Sequence, residues 1–200
     1  MLWPFWTRPS RRTSPFRSKL PPAGVTSRMN PEYILSALLA LFPHMSGNNR
    51  QCILDRRTRI AQQLEEVGRP LDGPGETGVT APRELVAAVA FAETHLGCDN
   101  GEGGNWGAPI DPQHRHTAGT HIHATIALIH GYQACHTWDG AIMRFRTGLC
   151  DSRTSSNPAV RAQGLRYLRS INRLVSRIQE FSDHQYEHDN DDGASSHTAE

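Results

Sequence analysis

The chain has 200 residues, of which 37% are hydrophobic, and a formal net charge of +1 at pH 7. This length suits one domain with a substantial core, and a net charge near zero gives no reason to expect nucleic acid as the main partner. Because no run of about 18 apolar residues occurs, we expect no membrane span. The cysteines allow either two disulfides or four thiols, and their wide spacing argues against a zinc site; they are Cys52, Cys98, Cys135 and Cys150.

Charge is concentrated at the two ends of the chain. Residues 1–28 carry six Arg or Lys and no acid, whereas the last 18 residues carry six acids and no Arg or Lys. Segments this polar cannot bury a core. The sequence therefore predicts a disordered basic segment over 1–28, a helical domain over 29–181 and a disordered acidic tail over 182–200. The basic segment lacks the apolar stretch of a signal peptide, and Met29 is an alternative start.

Start and stop signals divide the first part of the chain into helices. Asn30 and Pro31 are typical of a helix start and Pro43 of a stop. Apolar residues at helical spacing predict a second helix over 52–67, and the glycine density of 71–78 predicts a loop.

A third, strongly apolar helix is predicted over 82–96. Thr80 or Ala81 can cap it, Pro82 suits its first turn, and Gly97 can adopt the left-handed conformation that ends it.

The rest of the chain begins with an irregular stretch, 98–119, rich in Gly, Pro and His. Long loops of this kind are often functional, and this one would line a cleft beside the third helix. Thr120, Thr137 and Asn157 then cap three more helices, the last of which extends to Phe181. With no convincing strand, the fold class is mainly α.

One acid lies on the apolar face of the third helix. Val86, Val89, Glu93 and Leu96 share a helical stripe. Burial there disfavours the charged carboxylate, and a carboxylic acid kept protonated beside a cleft is what general-acid cleavage of a glycosidic bond requires. The alternative is an ordinary exposed Glu in the last turn.

Several motifs resemble the lysozyme-like lytic transglycosylase (SLT) family, over about 82–178. They are Glu93-Thr94-His95, Gly104-Asn105-Trp106-Gly107-Ala108, Trp138-Asp139-Gly140-Ala141 and Phe145-Arg146-Thr147-Gly148. The resemblance implies a lysozyme-like helical domain, with a small hairpin in the Gly/His-rich loop and Glu93 as the catalytic acid.

The chain departs from the family pattern at two places. Pro109 follows Ala108, so the family's Gly-Leu-Met-Gln is absent. The tyrosine expected near the acid is Phe145, which leaves Tyr132 or Tyr167 to supply a hydroxyl.

The resemblance implies cleavage between N-acetylmuramic acid and N-acetylglucosamine, by a lytic transglycosylase or a muramidase. Glu93 alone suffices for a transglycosylase. A hydrolase needs a second carboxylate at about 6.5–9.5 Å or about 5–5.5 Å, for which the candidates are Asp99, Glu102 and Asp111. The expected substrate-binding residues are Thr94, Asn105, Trp106, Gly107, Tyr132, Phe145 and Arg146. For Trp106, anchoring of the loop is the alternative role.

The expected partners are peptidoglycan glycan strands, with no nucleic acid, no membrane span, no cofactor and a monomeric chain. The substrate places the protein outside the cell, in the periplasm or in a virion. The competing hypothesis is a non-catalytic glycan-binding or structural module of the same fold, in a phage particle or a cell-wall machine. A metal site is a further alternative to ordinary polar roles for His114, His116, His121 and His123.

Overall fold

The computed structural model describes residues 29–69, 79–99, 106–107 and 120–194, with side chains as far as residue 184. In these ranges the backbone forms α1 (Pro31–Leu41), α2 (Gly47–Asp55), α3 (Arg57–Val67), α4 (Arg83–Thr94), α5 (His121–Cys135), α6 (Trp138–Thr147), a 3₁₀ turn (Ser152–Thr154) and α7 (Pro158–Ala194). The prediction of a mainly α fold is confirmed. The segment 1–28, the end of the acidic tail and most of the 98–119 loop, with its predicted hairpin, lie outside the described residues.

Local caps set several helix ends where the sequence predicts them. Asn30 Oδ1 accepts from the backbone N–H of Glu32 at 2.9 Å, and Thr137 Oγ1 accepts from that of Gly140 at 3.0 Å. Gly148 ends α6 with a φ of 76°.

The predicted helix over 52–67 is in fact two helices. Ser46 starts α2 five residues after the end of α1, with its Oγ accepting from Asn49 N–H at 3.2 Å. Arg56, at φ −106° and ψ 8°, separates α2 from α3. The apolar spacing continues across this break, so the pattern alone did not reveal it.

Helix α4 is shorter than predicted at both ends. Its cap is Pro82, with ψ at 131°, and not Thr80 or Ala81. At the other end His95 already has a left-handed φ of 47°, two residues before Gly97. Thr94 closes this end, because its Oγ1 donates to Ala90 O at 3.2 Å and accepts from Gly97 N–H at 3.0 Å.

The last helix is longer than predicted. Helix α7 continues past Phe181 and reaches Ala194. Ser182 is buried, so the packed part of the helix also extends beyond the predicted end.

Helix α4 forms the centre of the packed helices. It contacts α1, α3, α5 and α7, and every side chain from residue 84 to 91 is buried. Helix α5, which contacts α4, packs closely against α6: a Cβ atom at Gly131 would lie 3.0 Å from the Cα of Ala141. The end of α4 is thereby held in place by most of the fold.

Two disulfides hold the helix ends together. Cys52 on α2 pairs with Cys98 in the turn after α4, with Cα atoms 5.9 Å apart. Cys135 at the end of α5 pairs with Cys150 after α6, with Cα atoms 5.3 Å apart. Of the pairings that the sequence left open, the structure forms these two. No helix in the described residues is long and apolar enough to cross a membrane.

Candidate active site

Glu93 lies in the last turn of the central helix. Val86, Val89 and Leu96, which share its stripe, are fully buried, and the Glu93 side chain is only 16% exposed. The carboxyl group is therefore at the edge of the core, where a rigid helix fixes its position.

The loop after α4 returns to this acid at Gly107. Its φ is 80°, and a Cβ atom there would lie 2.3 Å from the Glu93 Cβ. Only glycine fits both the backbone conformation and the space. The family resemblance assigns both Glu93 and Gly107 to the site, and the two residues are neighbours in the structure.

Arg146 on α6 forms an ion pair with Glu93. Its Nη1 donates to Glu93 Oε2 at 3.1 Å and to Oε1 at 3.5 Å, and the arginine side chain is 42% exposed. The two contacts make this a charge-assisted pair between the guanidinium and the carboxyl group. The structure thus supplies a cation that apolar spacing along α4 could not indicate.

Tyr167 on α7 completes the group around Glu93. The Arg146 guanidinium carbon lies 5.7 Å from the centre of the Tyr167 ring. Burial raises the pKa of Tyr167 far above its usual value, and the nearby Glu93 carboxylate is the second cause of this rise. Although the carboxylate is close enough to have this effect, the hydroxyl makes no hydrogen bond of good geometry with any described residue.

Of the two tyrosines considered for the place of the family's hydroxyl, Tyr167 lies beside the acid. Tyr132 packs on Trp138 instead, with ring centres 4.5 Å apart. Phe145 is partly buried against the core.

Trp106 lies inside the protein. Its side chain is fully buried, and its ring centre is 5.8 Å from that of His121. This position fits the loop-anchoring role, because a buried indole offers no face to a sugar.

Of the three candidates for a second carboxylate, Asp99 is the one that falls in the described residues. Asp99 accepts from Asn49 Nδ2 at 2.8 Å and lies 2.5 Å from His95 Nδ1. Glu102 and Asp111, like Asn105, fall outside the described residues.

Glu84 is a buried acid that the sequence pattern does not distinguish, because acids are common in the first turn of a helix. Its Oε1 accepts from Gln179 Nε2 at 3.2 Å. It precedes Glu93 by nine residues of α4, or about 13 Å along the helix axis. This separation is too great for the second carboxylate of a glycosidase.

The two histidines of the predicted cluster that fall in the described residues, His121 and His123, have separate partners. His121 Nε2 lies 2.7 Å from Glu66 Oε2, and His123 Nδ1 lies 3.0 Å from Thr120 Oγ1. His114 and His116 are outside the described residues. In the part of the chain that is described, no group of three or more His, Cys, Asp or Glu side chains is placed to hold a metal ion.

Comparisons with protein-family models, with curated proteins and with solved structures found no significant match. What can be said of function therefore depends on the residues around Glu93.

Proposed function

We propose that this protein cleaves peptidoglycan glycan strands as a lytic transglycosylase or muramidase, with Glu93 as general acid and base. The observation that carries the proposal is one largely buried carboxylate at the end of the central helix, 16% exposed, with the Gly107 backbone against it. Such a carboxylate is held in a fixed orientation and is still open to the surface, which proton transfer to a bound substrate needs.

In the transglycosylase reaction one acid is enough. Glu93 gives its proton to the oxygen between N-acetylmuramic acid and N-acetylglucosamine, and the bond from that oxygen to the muramoyl C1 breaks. The Glu93 carboxylate then takes the proton of the muramoyl 6-hydroxyl as O6 bonds to C1. The products are a 1,6-anhydro end and a free hydroxyl on the leaving sugar, and Glu93 recovers its proton.

The ion pair with Arg146 corresponds to the stage of this cycle in which Glu93 is a carboxylate. For the first proton transfer, the arginine must move away so that a carboxyl oxygen of Glu93 can reach the glycosidic oxygen. The guanidinium has room to do so, because the Arg146 side chain is 42% exposed. Tyr167 can then support the acid, because its buried hydroxyl lies close enough to the carboxylate to donate a hydrogen bond once the arginine has moved.

The experiment is digestion of insoluble peptidoglycan by the wild type and by Glu93→Gln, with the soluble products analysed by mass spectrometry. Products that lack one water relative to reducing muropeptides, and that depend on Glu93, support the transglycosylase. Reducing ends that depend on Glu93 support the muramidase and require a search for a second carboxylate. Release that persists in Glu93→Gln contradicts the proposed role of this residue.

A specific observation favours a second candidate, a non-catalytic glycan-binding or structural module. An unpaired acid at the edge of the core would be costly without a catalytic use. The Arg146 ion pair offsets much of this cost, so the position of Glu93 is compatible with an inactive fold. Binding to peptidoglycan without any soluble product, in the wild type and Glu93→Gln alike, supports the module.

A further inference from the structure

His121 is a buried histidine that the proposed reaction does not use. It is the first residue of α5, and its side chain is 10% exposed. Its Nε2 lies 2.7 Å from Oε2 of Glu66, a residue of α3 whose side chain is 54% exposed. Because a carboxylate oxygen can only accept, Nε2 carries a proton and donates it to this hydrogen bond. The imidazole is therefore held in one orientation by an acceptor at the surface.

The ring of His121 packs against the indole of Trp106. The ring centres are 5.8 Å apart and the planes are tilted by 60°, a geometry that aromatic pairs favour. Trp106 is fully buried and is followed directly by Gly107. A Cβ atom at Gly107 would lie 2.3 Å from the Cβ of Glu93. A continuous line of contacts thus joins Glu66 at the surface to Glu93.

Packing alone does not account for a histidine at residue 121. Its Nδ1 is buried and has no hydrogen-bond partner among the described residues, which costs free energy. A leucine would fill a similar space without this cost, but it could not donate to Glu66. What the imidazole adds is a fixed direction for the ring that contacts Trp106.

We infer that His121 is a positioning residue of the Glu93 site and acts through Trp106. The hydrogen bond to Glu66 fixes the imidazole, and the imidazole fixes the indole. The indole in turn holds the backbone of Gly107 against the acid, which limits the directions in which the carboxyl group can point. Proton transfer needs such a fixed direction, because a displacement of about 1 Å can lower a rate by about 100-fold. The kinetic part of this inference rests on the proposed function, whereas the positioning itself does not.

The test compares two substitutions of the same residue. His121→Leu removes the donor and the ring, whereas the amide N–H of His121→Gln can still donate to Glu66. The matched control is His123→Leu, because His123 is a half-buried histidine of the same helix with a separate contact, 3.0 Å from its Nδ1 to Thr120 Oγ1. Should His121→Leu fail to fold, Glu66→Ala removes the acceptor from a largely exposed side chain and leaves the core intact.

NMR follows the line of contacts without any need for activity. In protein labelled with fluorotryptophan, the fluorine resonance of Trp106 is assigned with Trp106→Phe. The carbon resonance of the Glu93 carboxyl group is assigned with Glu93→Gln. We expect His121→Leu to shift both resonances, and His121→Gln and the control His123→Leu to leave the Glu93 resonance near its wild-type position. An unmoved Glu93 resonance in His121→Leu, or an equal shift in the control, overturns the inference.

The kinetic measurement is the rate of product release over a range of peptidoglycan concentrations. His121→Leu should lower kcat by about 10- to 100-fold with little change in KM, because the misdirected acid acts in the chemical step. His121→Gln should restore most of kcat, which a loss of folded protein alone would not explain. If the wild type releases no products, the proposed function fails, and the NMR shifts alone decide whether His121 positions Glu93. Equal kcat values in an active wild type and His121→Leu overturn the inference.

Discussion

The backbone of Gly107 lies directly against the side chain of Glu93: a Cβ atom at residue 107 would be 2.3 Å from the Glu93 Cβ and 2.7 Å from its Cγ. The loop thus packs against the base of the acid and limits the directions in which its carboxyl can point. A side chain at residue 107 must displace either the loop or the acid.

Gly107→Ala should therefore destabilise the protein more than Gly148→Ala. Both glycines have a left-handed φ, 80° and 76°, but nothing lies within 4 Å of a Cβ at Gly148. Gly148→Ala should cost about 1–2 kcal/mol of backbone strain, and Gly107→Ala about 1–3 kcal/mol more from overpacking. Urea unfolding measures both free energies. Equal losses would show that Glu93 does not confine residue 107.

Glu93→Gln should leave the free energy of unfolding within about 1 kcal/mol of the wild type, because the ion pair that it removes is partly exposed. The amide oxygen can still accept from Arg146. Thermal unfolding, with Asp99→Asn as a second acid-to-amide control, checks this expectation. A large rise in Tm for Glu93→Gln alone would mean that Arg146 does not compensate the acid and that the carboxylate is strained.

Tyr167 should make the protein sensitive to alkaline pH. Its pKa is raised in the folded state, chiefly by burial, so the unfolded chain loses this proton first as the pH rises past about 10. The unfolded state then binds fewer protons, and the free energy of unfolding falls with pH. Below about pH 10 this contribution to stability is fully present.

Tyr167→Phe removes the titrating hydroxyl. Its stability should fall less than that of the wild type between pH 9 and 11, roughly the range in which an unperturbed tyrosine ionises. At neutral pH its free energy of unfolding should lie within about 1 kcal/mol of the wild type, because the hydroxyl makes no hydrogen bond of good geometry whose loss would cost more. Urea unfolding at neutral pH and across the alkaline range measures these free energies for the wild type, for Tyr167→Phe and for the control Tyr132→Phe. Equal alkaline losses in wild type and Tyr167→Phe would contradict the buried position of the hydroxyl.

The parts of the fold that the sequence predicted are those set by local chemistry. Asn30, Thr137 and Gly148 define helix ends because each satisfies nearby backbone groups or adopts a left-handed φ. The break at Arg56 escaped prediction because Ile53, Ile60 and Leu64 keep helical spacing across it, and all three are buried.

The site was only partly predictable, because part of it depends on contacts between helices. Glu93 stands out by its position on an apolar stripe of one helix. Its cation and hydroxyl come from α6 and α7, so their proximity depends on tertiary packing. Arg146 was a candidate through the family resemblance, and Tyr167 was one of two options. Neither spacing nor composition reveals that Arg146 pairs with the acid itself.

The two disulfides should differ in their contribution to stability. Cys52–Cys98 closes a sequence separation of 46 residues and Cys135–Cys150 one of 15. Loop-closure entropy predicts losses of about 4 and about 3 kcal/mol when each pair is replaced by alanine. Because Cys98 lies in the turn that follows Glu93, we expect replacement of the Cys52–Cys98 pair also to loosen the end of α4. Urea unfolding gives the two free energies, and hydrogen exchange at the amides of His95 and Leu96 reports on that end. A smaller loss for the Cys52–Cys98 pair, with unchanged exchange there, would mean that packing around α4 holds the Glu93 turn without its disulfide.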